Sequence, residues 1–510
     1  MSFVKKIVCV SKMKEKSDSF ENIAAFILSF FFAFIFSLQS PVHLWGGSDV
    51  NIDSGVFKTI SMMMRKGFMP YKDSFDHKGP LLYILNWLGD QIAEYKGIWL
   101  VELLFLTVTF YMIYKIARLS CRTVPSFIAA ATAISLLFIY FEEGNLTEEY
   151  AMPLIAISTY IFLDYFKNNK INHIRLFLCG VTFAGTFLLR PNMIALWFIM
   201  CLAVLLKTKL QKELKEAVRF IIFFLLGAAV VFLPIAIWLW VNDALKQCIA
   251  DFIIFNKEYT SAAANAGRAT WANKWTALFF FLNSTVVITA FLSQIYTCKK
   301  SKTLCDYSYL IYMFVTLIFI CLAGMQYGHY GMVLIPMVVY PLSNIFGSIS
   351  KIENETTAEM IGFVVGIYAL SVMVLPKWLQ LIQGTPAIYT ARTNYHISAE
   401  VQNIVSEIDR LKLGANEPIS VYGNWDIIYV ISKRPHATRY SYQFPIGEVK
   451  PEIMEEYMKE LATELPKVIV VQPGRYDDRV KAFVQENGYT FIYGQNGEIE
   501  AGGALLFYRG

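Results

Sequence analysis

Apolar runs of about 20 residues recur along most of this chain, and each is long enough to cross a bilayer as a helix. Of the 510 residues, 56% are hydrophobic and 17% are charged, whereas soluble domains average about 45–50% apolar and about 25% charged residues. This composition excludes an ordinary soluble enzyme. The chain is therefore predicted to be mainly α, a polytopic helical membrane protein.

The spacing of the apolar runs predicts about 11 transmembrane helices. The predicted crossings are residues 22–40, 97–116, 123–141, 149–166, 174–190, 192–206, 219–241, 276–296, 306–324, 329–348 and 359–379. Clusters of Lys and Arg separate several of these runs, and the positive-inside rule places such clusters in the cytoplasm. We therefore expect a multi-pass protein of the cell membrane with a cytoplasmic N-terminus. No basic patch of the sequence suggests a nucleic-acid partner.

An odd number of crossings leaves the C-terminus outside the cell. The outer segments are then 41–96, 142–148, 242–275, 325–328 and the chain after about residue 380. Residues 80–93 are too short to cross and contain Asp90, so we predict a helix lying at the outer interface.

The last part of the chain changes character after Trp378, where apolar runs end and charged residues become frequent. Four short apolar segments there favour strands, and two amphipathic segments favour helices. This pattern predicts a small extracytoplasmic α/β domain at 380–510 that follows a transmembrane domain at 1–379. Its Gly-Asn-Trp-Asp sequence (423–426) follows a predicted strand, which is a common position for a binding site.

Ionisable residues concentrate in four places near predicted outer ends of the helices. The first is WGGSDVNIDSGVFKTISMMMRKGFMPYKDSFDHKGPLLY (45–83), and the second is EEGNLTEEYAMPL (142–154). The third is Arg190 before Pro191, and the fourth is His329-Tyr330. Each has a plain structural alternative, such as loop solvation, capping of a helix start, or a lysine reaching the interface. The candidate functional residues come from these four places.

The first segment resembles the first outer loop of the GT-C superfamily, whose multi-pass glycosyltransferases take sugars from polyprenyl-phosphate carriers. It is most similar to bacterial relatives of protein O-mannosyltransferase and lipid A aminoarabinose transferase. The resemblance rests on the order and spacing of Asp53, Phe57, Gly67, Pro70, Tyr71, Asp73, Asp76, His77, Lys78, Gly79 and Pro80. The chain departs from the aminoarabinose type at Asp53-Ser54 and at Lys78-Gly79-Pro80, so sugar identity and metal dependence do not carry over.

The resemblance implies roles for individual residues. Asp53 is expected to be the general base that deprotonates the acceptor, with Asp49 as the rival carboxylate. Glu148 and Glu149 match a second acidic motif and join the catalytic candidates. Lys78 and Arg190 are expected to hold the carrier phosphate. The expected substrate-binding residues are Tyr71, Asp73, Asp76, His77, Lys78, Asn145, Arg190, His329 and Tyr330.

The predicted partners are a polyprenyl-phosphate-linked sugar donor and membrane lipid. The acceptor stays open among cell-envelope glycan, lipid and protein. A divalent metal ion stays open as a cofactor, without assigned ligands. A polysaccharide polymerase or ligase, or a transporter of lipid-linked sugars, remains the alternative function. A transporter is expected to carry charges deep in several spans, and the predicted spans carry almost none.

Overall fold

The computed structural model describes residues 3–40, 42, 52–94, 96–142, 144–169, 172–259, 270–322, 324–348, 368, 372, 374–386, 398–494 and 503–510. Side chains are described from residue 19 onward. Asp49, which the sequence makes a rival for the base, lies outside the described residues. The predicted crossing at 359–379 lies largely outside them as well.

Most of the described part of the first 348 residues is helical. The helices are α1 (Phe3–Ser37), α2 (Ile52–Arg65), α3 (Pro80–Ile92), α4 (Ile98–Arg118), α5 (Thr123–Ile134), α6 (Leu137–Tyr140), α7 (Thr147–Asn168), α8 (His173–Leu189), α9 (Ala195–Leu210), α10 (Leu214–Val241), α11 (Leu245–Cys248), α12 (Trp271–Leu282), α13 (Thr285–Ser301), α14 (Leu304–Cys321) and α15 (Leu334–Ser348). Two 3-10 segments, Pro191–Met193 and Gly328–Val333, and a π-helix, Ile249–Phe255, lie between them.

Several helices are long and apolar enough to cross a membrane. In the described residues these are six, Ser19–Ser37, Ile98–Arg118, Thr123–Tyr140, Leu214–Val241, Leu304–Cys321 and Gly328–Gly347, or up to seven with one bent pair. The prediction of a multi-pass helical membrane protein is confirmed. Some predicted crossings are shorter or more polar helices, such as α8 with 17 residues and α7, whose first turn holds two acidic residues.

The predicted single crossing at 276–296 is wrong in its shape. It consists of α12 and α13, which meet at a bend of 88°. Asn283 ends the first helix and Ser284 takes an extended backbone before the second one. Asn and Ser favour such breaks because their short polar side chains compete for backbone hydrogen bonds. The helix predicted at 80–93 is present as α3, and its place at the outer interface stays a prediction.

The C-terminal α/β region is confirmed. Its helices are α16 (Ala399–Arg410), α17 (Ile427–Ser432), α18 (Ile446–Val449), α19 (Pro451–Glu464) and α20 (Asp478–Glu486), and its strands are β1 (Ile419–Tyr422), β2 (Val468–Val471), β3 (Thr490–Gly494) and β4 (Leu505–Tyr508). The sheet order is β1-β2-β4-β3. β1 and β2 are parallel, and the other pairs are antiparallel. We keep the division at residue 380 as a prediction, and it falls within residues 374–386, which are helical.

The C-terminal region packs directly on α2 and on the loop that follows it. The Thr59 hydroxyl donates to the Asp426 carbonyl at 3.1 Å, and the Phe75 amide donates to the Arg439 carbonyl at 2.7 Å. Arg439 also pairs with Asp251 of the π-helix. These contacts fix the region above the ends of the membrane helices, where it helps to form a cavity.

Candidate functional site

The first acidic candidate, Asp53, lies in the first turn of α2. The carboxylate is stabilised there because backbone N–H groups and the positive end of the helix dipole face it. The other face of α2 is apolar, and Val56, Phe57 and Ile60 are buried. The amphipathic helix therefore holds Asp53 at the boundary between the packed core and the open space beside it, where its side chain is 43% exposed.

The loop between α2 and α3 is shaped by residues that the motif contributes. Gly67 (φ +92°) and Tyr71 (φ +67°) both take left-handed backbone conformations. The Tyr71 hydroxyl donates to the Lys78 carbonyl at 2.8 Å, and Asp73 accepts a 2.6 Å hydrogen bond from the Met69 amide. These contacts of Tyr71 and Asp73 stabilise the loop conformation, and substrate binding by the two residues stays a prediction.

Asp76 is buried and fully hydrogen-bonded. Its Oδ2 accepts from the Tyr83 hydroxyl at 2.8 Å, and its Oδ1 accepts from the Tyr442 hydroxyl at 2.8 Å and from the His77 amide at 2.7 Å. Burial raises the pKa of Asp76, although Lys78 and the two hydroxyl donors act in the opposite direction. Tyr442 comes from the C-terminal region, so this carboxylate joins the two parts of the protein.

Lys78 faces Asp53 across the cavity. Its Nζ lies 4.0 Å from Asp53 Oδ2 and donates to His77 Nε2 at 3.3 Å. Burial acts to lower the pKa of the Lys78 amine, but the Asp53 carboxylate, together with Asp76 and Tyr330, outweighs burial and the nearby Arg190 cation, and the pKa ends above its ordinary value. Lys78 is therefore a stable cation at neutral pH.

The His77 ring is packed between a cation and an aromatic side chain. It stacks on Tyr259 with ring centres 5.8 Å apart, and its carbonyl accepts from Asn256 at 2.6 Å. Burial, together with the Lys78 and Arg190 cations, holds the pKa of His77 well below its ordinary value. His77 is thus a neutral hydrogen-bonding group that orients Lys78.

A glycine brings Lys78 close to the end of α8. A Cβ on Gly79 would lie 1.9 Å from the Leu188 carbonyl oxygen, and the Gly79 amide donates to the Leu189 carbonyl at 3.2 Å. Only a residue without a side chain permits this approach of two backbones. Because Arg190 follows Leu189 directly, the contact places Arg190 on the same cavity as Lys78.

Arg190 is held by two groups from elsewhere in the chain. Its guanidinium pairs with the Glu148 carboxylate and lies 4.2 Å from the centre of the Tyr330 ring. The Thr147 hydroxyl donates to the other Glu148 oxygen at 2.7 Å. Glu148, a predicted catalytic residue, therefore has the geometry of a residue that positions Arg190.

Asn145 and Glu149 are fully buried and connect α7 to its neighbours. The Asn145 side-chain amide donates to the Ser54 hydroxyl at 2.7 Å and to the Asn86 side-chain oxygen at 3.1 Å. The Asn145 backbone N–H donates to the Glu149 carboxylate at 2.8 Å. The Asn145 backbone is left-handed, with φ at 54°. These contacts make both residues part of the wall that supports α2.

Glu142 is a site residue that the prediction left out, although the sequence marks it as one of four acids in the second segment. Its carboxylate pairs with His329 and accepts from the Gly328 amide at 2.6 Å. Burial acts to raise the pKa of Glu142, but the hydrogen-bonding and charge interactions with His329, together with the Gly328 amide, outweigh burial, and the pKa lies below its ordinary value. The His329 ring packs edge-on against Tyr330 with centres 4.7 Å apart.

These side chains surround one cavity of about 1060 Å³. The predicted residues that line it are Asp53, Asp76, His77, Lys78, Arg190, His329 and Tyr330. The lining residues that sequence reasoning missed include Glu142, Asn256, Tyr259 and Tyr442, whereas Asn424 belongs to the Gly-Asn-Trp-Asp sequence that was noted at a possible binding position. A carboxylate near two fixed cations, with aromatic walls, suits an acceptor hydroxyl beside an anionic substrate group.

A metal site does not emerge among the residues that the structure describes. No group of three or more His, Cys, Asp or Glu side chains there could hold a metal ion. Asp49 lies outside that part of the chain.

A protein-family model matches residues 13–359, which is more than half of the chain; its description is "Putative competence-induced protein Ccs4 N-terminal domain". The chain belongs to this Ccs4 N-terminal domain family. The family match covers the membrane helices and every cavity residue up to Tyr330. No protein in the curated collection matches the chain.

Solved structures resemble this Ccs4-family chain in fold. The crystal structure of ArnT from Cupriavidus metallidurans bound to undecaprenyl phosphate has a TM-score of 0.56 at 14% identity, over 95% of this chain and 97% of that one. ArnT from the same organism in the apo state has a TM-score of 0.53 at 13% identity, over 95% of this chain and 97% of that one.

A third solved structure is the Archaeoglobus fulgidus oligosaccharyltransferase in complex with Zn and sulfate. It matches at 13% identity over 93% of this chain and 72% of that one, and its TM-score of 0.43 is too low to support an argument. The likeness to the two ArnT structures shows that this chain shares their fold over most of its length.

Proposed function

We propose that this protein is a membrane glycosyltransferase that moves a monosaccharide from a polyprenyl-phosphate carrier to an acceptor hydroxyl at the outer face of the membrane. The acceptor class is a cell-envelope glycan, lipid or protein. The proposal rests on one observation above all. The Asp53 carboxylate and the Lys78 ammonium face each other at 4.0 Å on the wall of a single cavity.

Two cations are available for the carrier phosphate. Lys78 and Arg190 line the same cavity, and each is fixed in place, by Gly79 packing and by Glu148 respectively. Fixed cations stabilise a leaving phosphate because they are already oriented toward the charge that develops. The binding of undecaprenyl phosphate by ArnT, which shares the fold, supports a lipid phosphate here.

The chemistry follows from this arrangement. Asp53 takes the proton of the acceptor hydroxyl, and the acceptor oxygen forms a bond to the anomeric carbon of the sugar. The bond between that carbon and the phosphate oxygen breaks, and the electron pair stays on the phosphate beside Lys78 and Arg190. Charge that builds on the sugar ring in an oxocarbenium-like transition state lies near the carboxylate. A single displacement inverts the configuration at the anomeric carbon.

The membrane carrier reaches the cavity from the side of the helices. Phe187, Phe252, Phe319 and Ile320 are among the apolar residues of the lining. They supply a surface on which the first isoprene units pack while the phosphate stays at the cations. This mixture of apolar wall and paired cations favours a lipid-linked donor over a soluble nucleotide sugar.

The decisive experiment replaces Asp53 by Asn in purified protein in liposomes. The amide keeps the shape of the side chain but is not a base, so transfer from a polyprenyl-phosphate sugar should fall about 10²–10⁴-fold while donor binding is kept. Asp49→Asn should be milder. Near-normal transfer by both variants would show that this loop does not supply the catalytic base.

A matched control comes from a second Asp–Lys pair of the same length. Asp243 lies 4.0 Å from Lys72, and its side chain is 88% exposed. Asp243→Asn removes the same charge near the same membrane face but outside the cavity lining. Transfer by this variant should equal that of the wild type.

A further inference from the structure

A second large cavity, of about 1170 Å³, lies at the opposite ends of the helices that build the candidate site. It is bounded by the ends of α7 and α9, by the loop between α13 and α14, and by α15. Along α7, Lys167 follows Glu148 by 19 residues, or about 28 Å at 1.5 Å per residue. The two cavities therefore lie near opposite faces of the membrane.

The second cavity is basic. Lys167, Lys207 and Lys300 are among its lining residues. The Lys207 ammonium is held at the centre of a small cluster, because it bonds to the Asn169 side chain and lies 4.4 Å from the centre of the Tyr165 ring. Lys167 donates to the Leu119 carbonyl. In these contacts the partners of Lys207 and Lys167 are uncharged groups.

The single lining carboxylate within the described part of the chain is Asp306, and its oxygens are occupied. Oδ1 accepts from the Tyr340 hydroxyl at 2.8 Å. Oδ2 accepts from the Thr303 hydroxyl at 2.6 Å and from the Ser301 hydroxyl. Asp306 is 4% exposed, and these three hydrogen bonds tie the start of α14 to its neighbours.

The cavity also has an apolar side. Leu210, Leu292 and Tyr296 line it and stand 70%, 62% and 48% exposed on the protein surface. At the end of a membrane helix such side chains face lipid chains. A ligand that contacts both the basic side and the apolar side of the cavity has an anionic head and a hydrocarbon tail. Basic pockets between transmembrane helices bind lipid headgroups of this kind.

We propose that this cavity binds the phosphate headgroup of a membrane lipid, with the phosphate at Lys207 and Lys300 and the chain along Leu210 and Leu292. The site is separate from the candidate active site and does not depend on the transfer reaction. Its ligand is a lipid phosphate, which either a bilayer phospholipid or a polyprenyl phosphate supplies.

The test uses pairs of neighbouring lysines that differ in whether they line the cavity. Lys207→Gln/Lys300→Gln removes two lining charges, whereas Lys209→Gln/Lys299→Gln removes two charges next to them in sequence, from exposed lysines outside the lining. Purified protein in detergent is titrated with phosphatidylglycerol, phosphatidylcholine or polyprenyl phosphate. Bound lipid is counted by native mass spectrometry.

We expect phosphatidylglycerol to bind about tenfold more weakly to the lining variant, Lys207→Gln/Lys300→Gln. Its affinity for the neighbouring variant, Lys209→Gln/Lys299→Gln, should be unchanged. Phosphatidylcholine, without net charge, should bind equally to all proteins. If the lining variant loses a polyprenyl phosphate that Lys78→Ala retains, the carrier is the lipid of this cavity. Equal losses in both double variants, or none in either, would overturn the proposal.

A second measurement uses the wild-type protein, so that its result does not depend on whether a variant folds. A phosphatidylglycerol with a photoreactive group near its head is crosslinked to the wild type in vesicles. Peptides from 163–169, 205–211 and 289–306 should carry the label, with an excess of unlabelled phosphatidylglycerol suppressing it. Label on other segments alone would contradict a site in this cavity.

Discussion

The Tyr442 hydroxyl donates a 2.8 Å hydrogen bond to Asp76 Oδ1, across 366 residues of chain. The bond joins the C-terminal α/β region to the motif loop at a residue adjacent to His77 and Lys78. Tyr442 also lines the cavity. The C-terminal region therefore completes the candidate site, and its contribution can be tested without disturbing the membrane helices.

Tyr442→Phe should lower transfer about tenfold, because a hydrogen bond to a charged group contributes about 1.5–3 kcal/mol. Loss of this donor also raises the pKa of Asp76 further, since the hydroxyl favours the ionised form. The acid limb of the rate profile should therefore move to higher pH. Steady-state transfer across a pH series measures both effects.

Tyr422→Phe is the matched control for that variant. The Tyr422 hydroxyl donates to Asp477 at 2.7 Å within the same C-terminal region. The variant loses the same kind of bond far from the motif loop. Transfer should keep its rate and pH profile, and a profile that moves as much as in Tyr442→Phe would contradict the role of Tyr442.

Lys78→Ala and Arg190→Ala should each weaken donor binding, because both cations line the cavity proposed for the phosphate. Lys78→Arg should fail to restore binding, since a planar guanidinium does not reproduce a compact ammonium beside Asp53 and His77. Equilibrium binding of a polyprenyl-phosphate sugar measures the effect. Unchanged affinity in both Ala variants would contradict the proposal that Lys78 and Arg190 bind the carrier phosphate.

Arg175 provides the control for Arg190. Both arginines link α8 to a carboxylate of α7, Arg175 through Asp164 and Arg190 through Glu148. Arg175→Ala removes the pair at the opposite end of α8 and should leave donor affinity intact. A comparable loss in this variant would mean that helix packing, and not phosphate binding, explains the result.

His436 should make stability depend on pH. Nδ1 donates to the Thr438 carbonyl at 2.6 Å, so Nε2 accepts from the Ser74 hydroxyl at 2.9 Å. Burial lowers the pKa of His436 from 6.5 to about 4. Below pH 6.5 the unfolded chain binds a proton that the folded protein excludes, and stability is lost as the pH falls toward 4, by at most about 3 kcal/mol.

The His436 contribution is measured as a difference. Thermal unfolding midpoints of the wild type and of His436→Gln are compared at pH 7.5 and pH 5. The unfolding midpoint of the wild type should fall further from pH 7.5 to pH 5 than that of the variant, because only the wild type has this histidine to protonate. Equal losses in both proteins would contradict the assignment.

Cysteine labelling tests the topology. The distribution of Lys and Arg predicts that Lys115, Lys170, Lys212 and Lys300 are cytoplasmic, whereas Asp53, Glu148 and residue 430 are outside. A single Cys at 212 or at Lys433, introduced after removal of the eight native cysteines, should react with an impermeant reagent only at 433. Labelling at 212 but not at 433 would overturn the orientation.

The apolar runs by themselves determine the class of the protein. Their length and the scarcity of charges within them require helices in a bilayer, because hydrophobicity is a local property that each run carries on its own. The strands of the C-terminal region follow from local pattern in the same way, and all four form. The bend after Asn283 could not be predicted in this way, because a single apolar run continues across it.

The motif between Asp53 and Pro80 was visible in sequence, yet the partners of its residues were not. Glu142 pairs with His329 across 187 residues, and Arg190 reaches Glu148 across 42. Such contacts depend on which helix faces which neighbour, and periodicity along one segment carries no information about that choice. Tyr442 shows the same limit, since nothing near it in sequence indicates a carboxylate partner.

Local pattern thus determined the membrane class, most of the helices and the loop that holds the candidate residues. The tertiary structure decided that Asp53 faces Lys78, that Gly79 brings Lys78 to Arg190, and that the C-terminal region closes the cavity. The physical reason is that hydrophobic burial selects segments one by one, whereas a site requires side chains from several packed segments to meet at hydrogen-bonding distance.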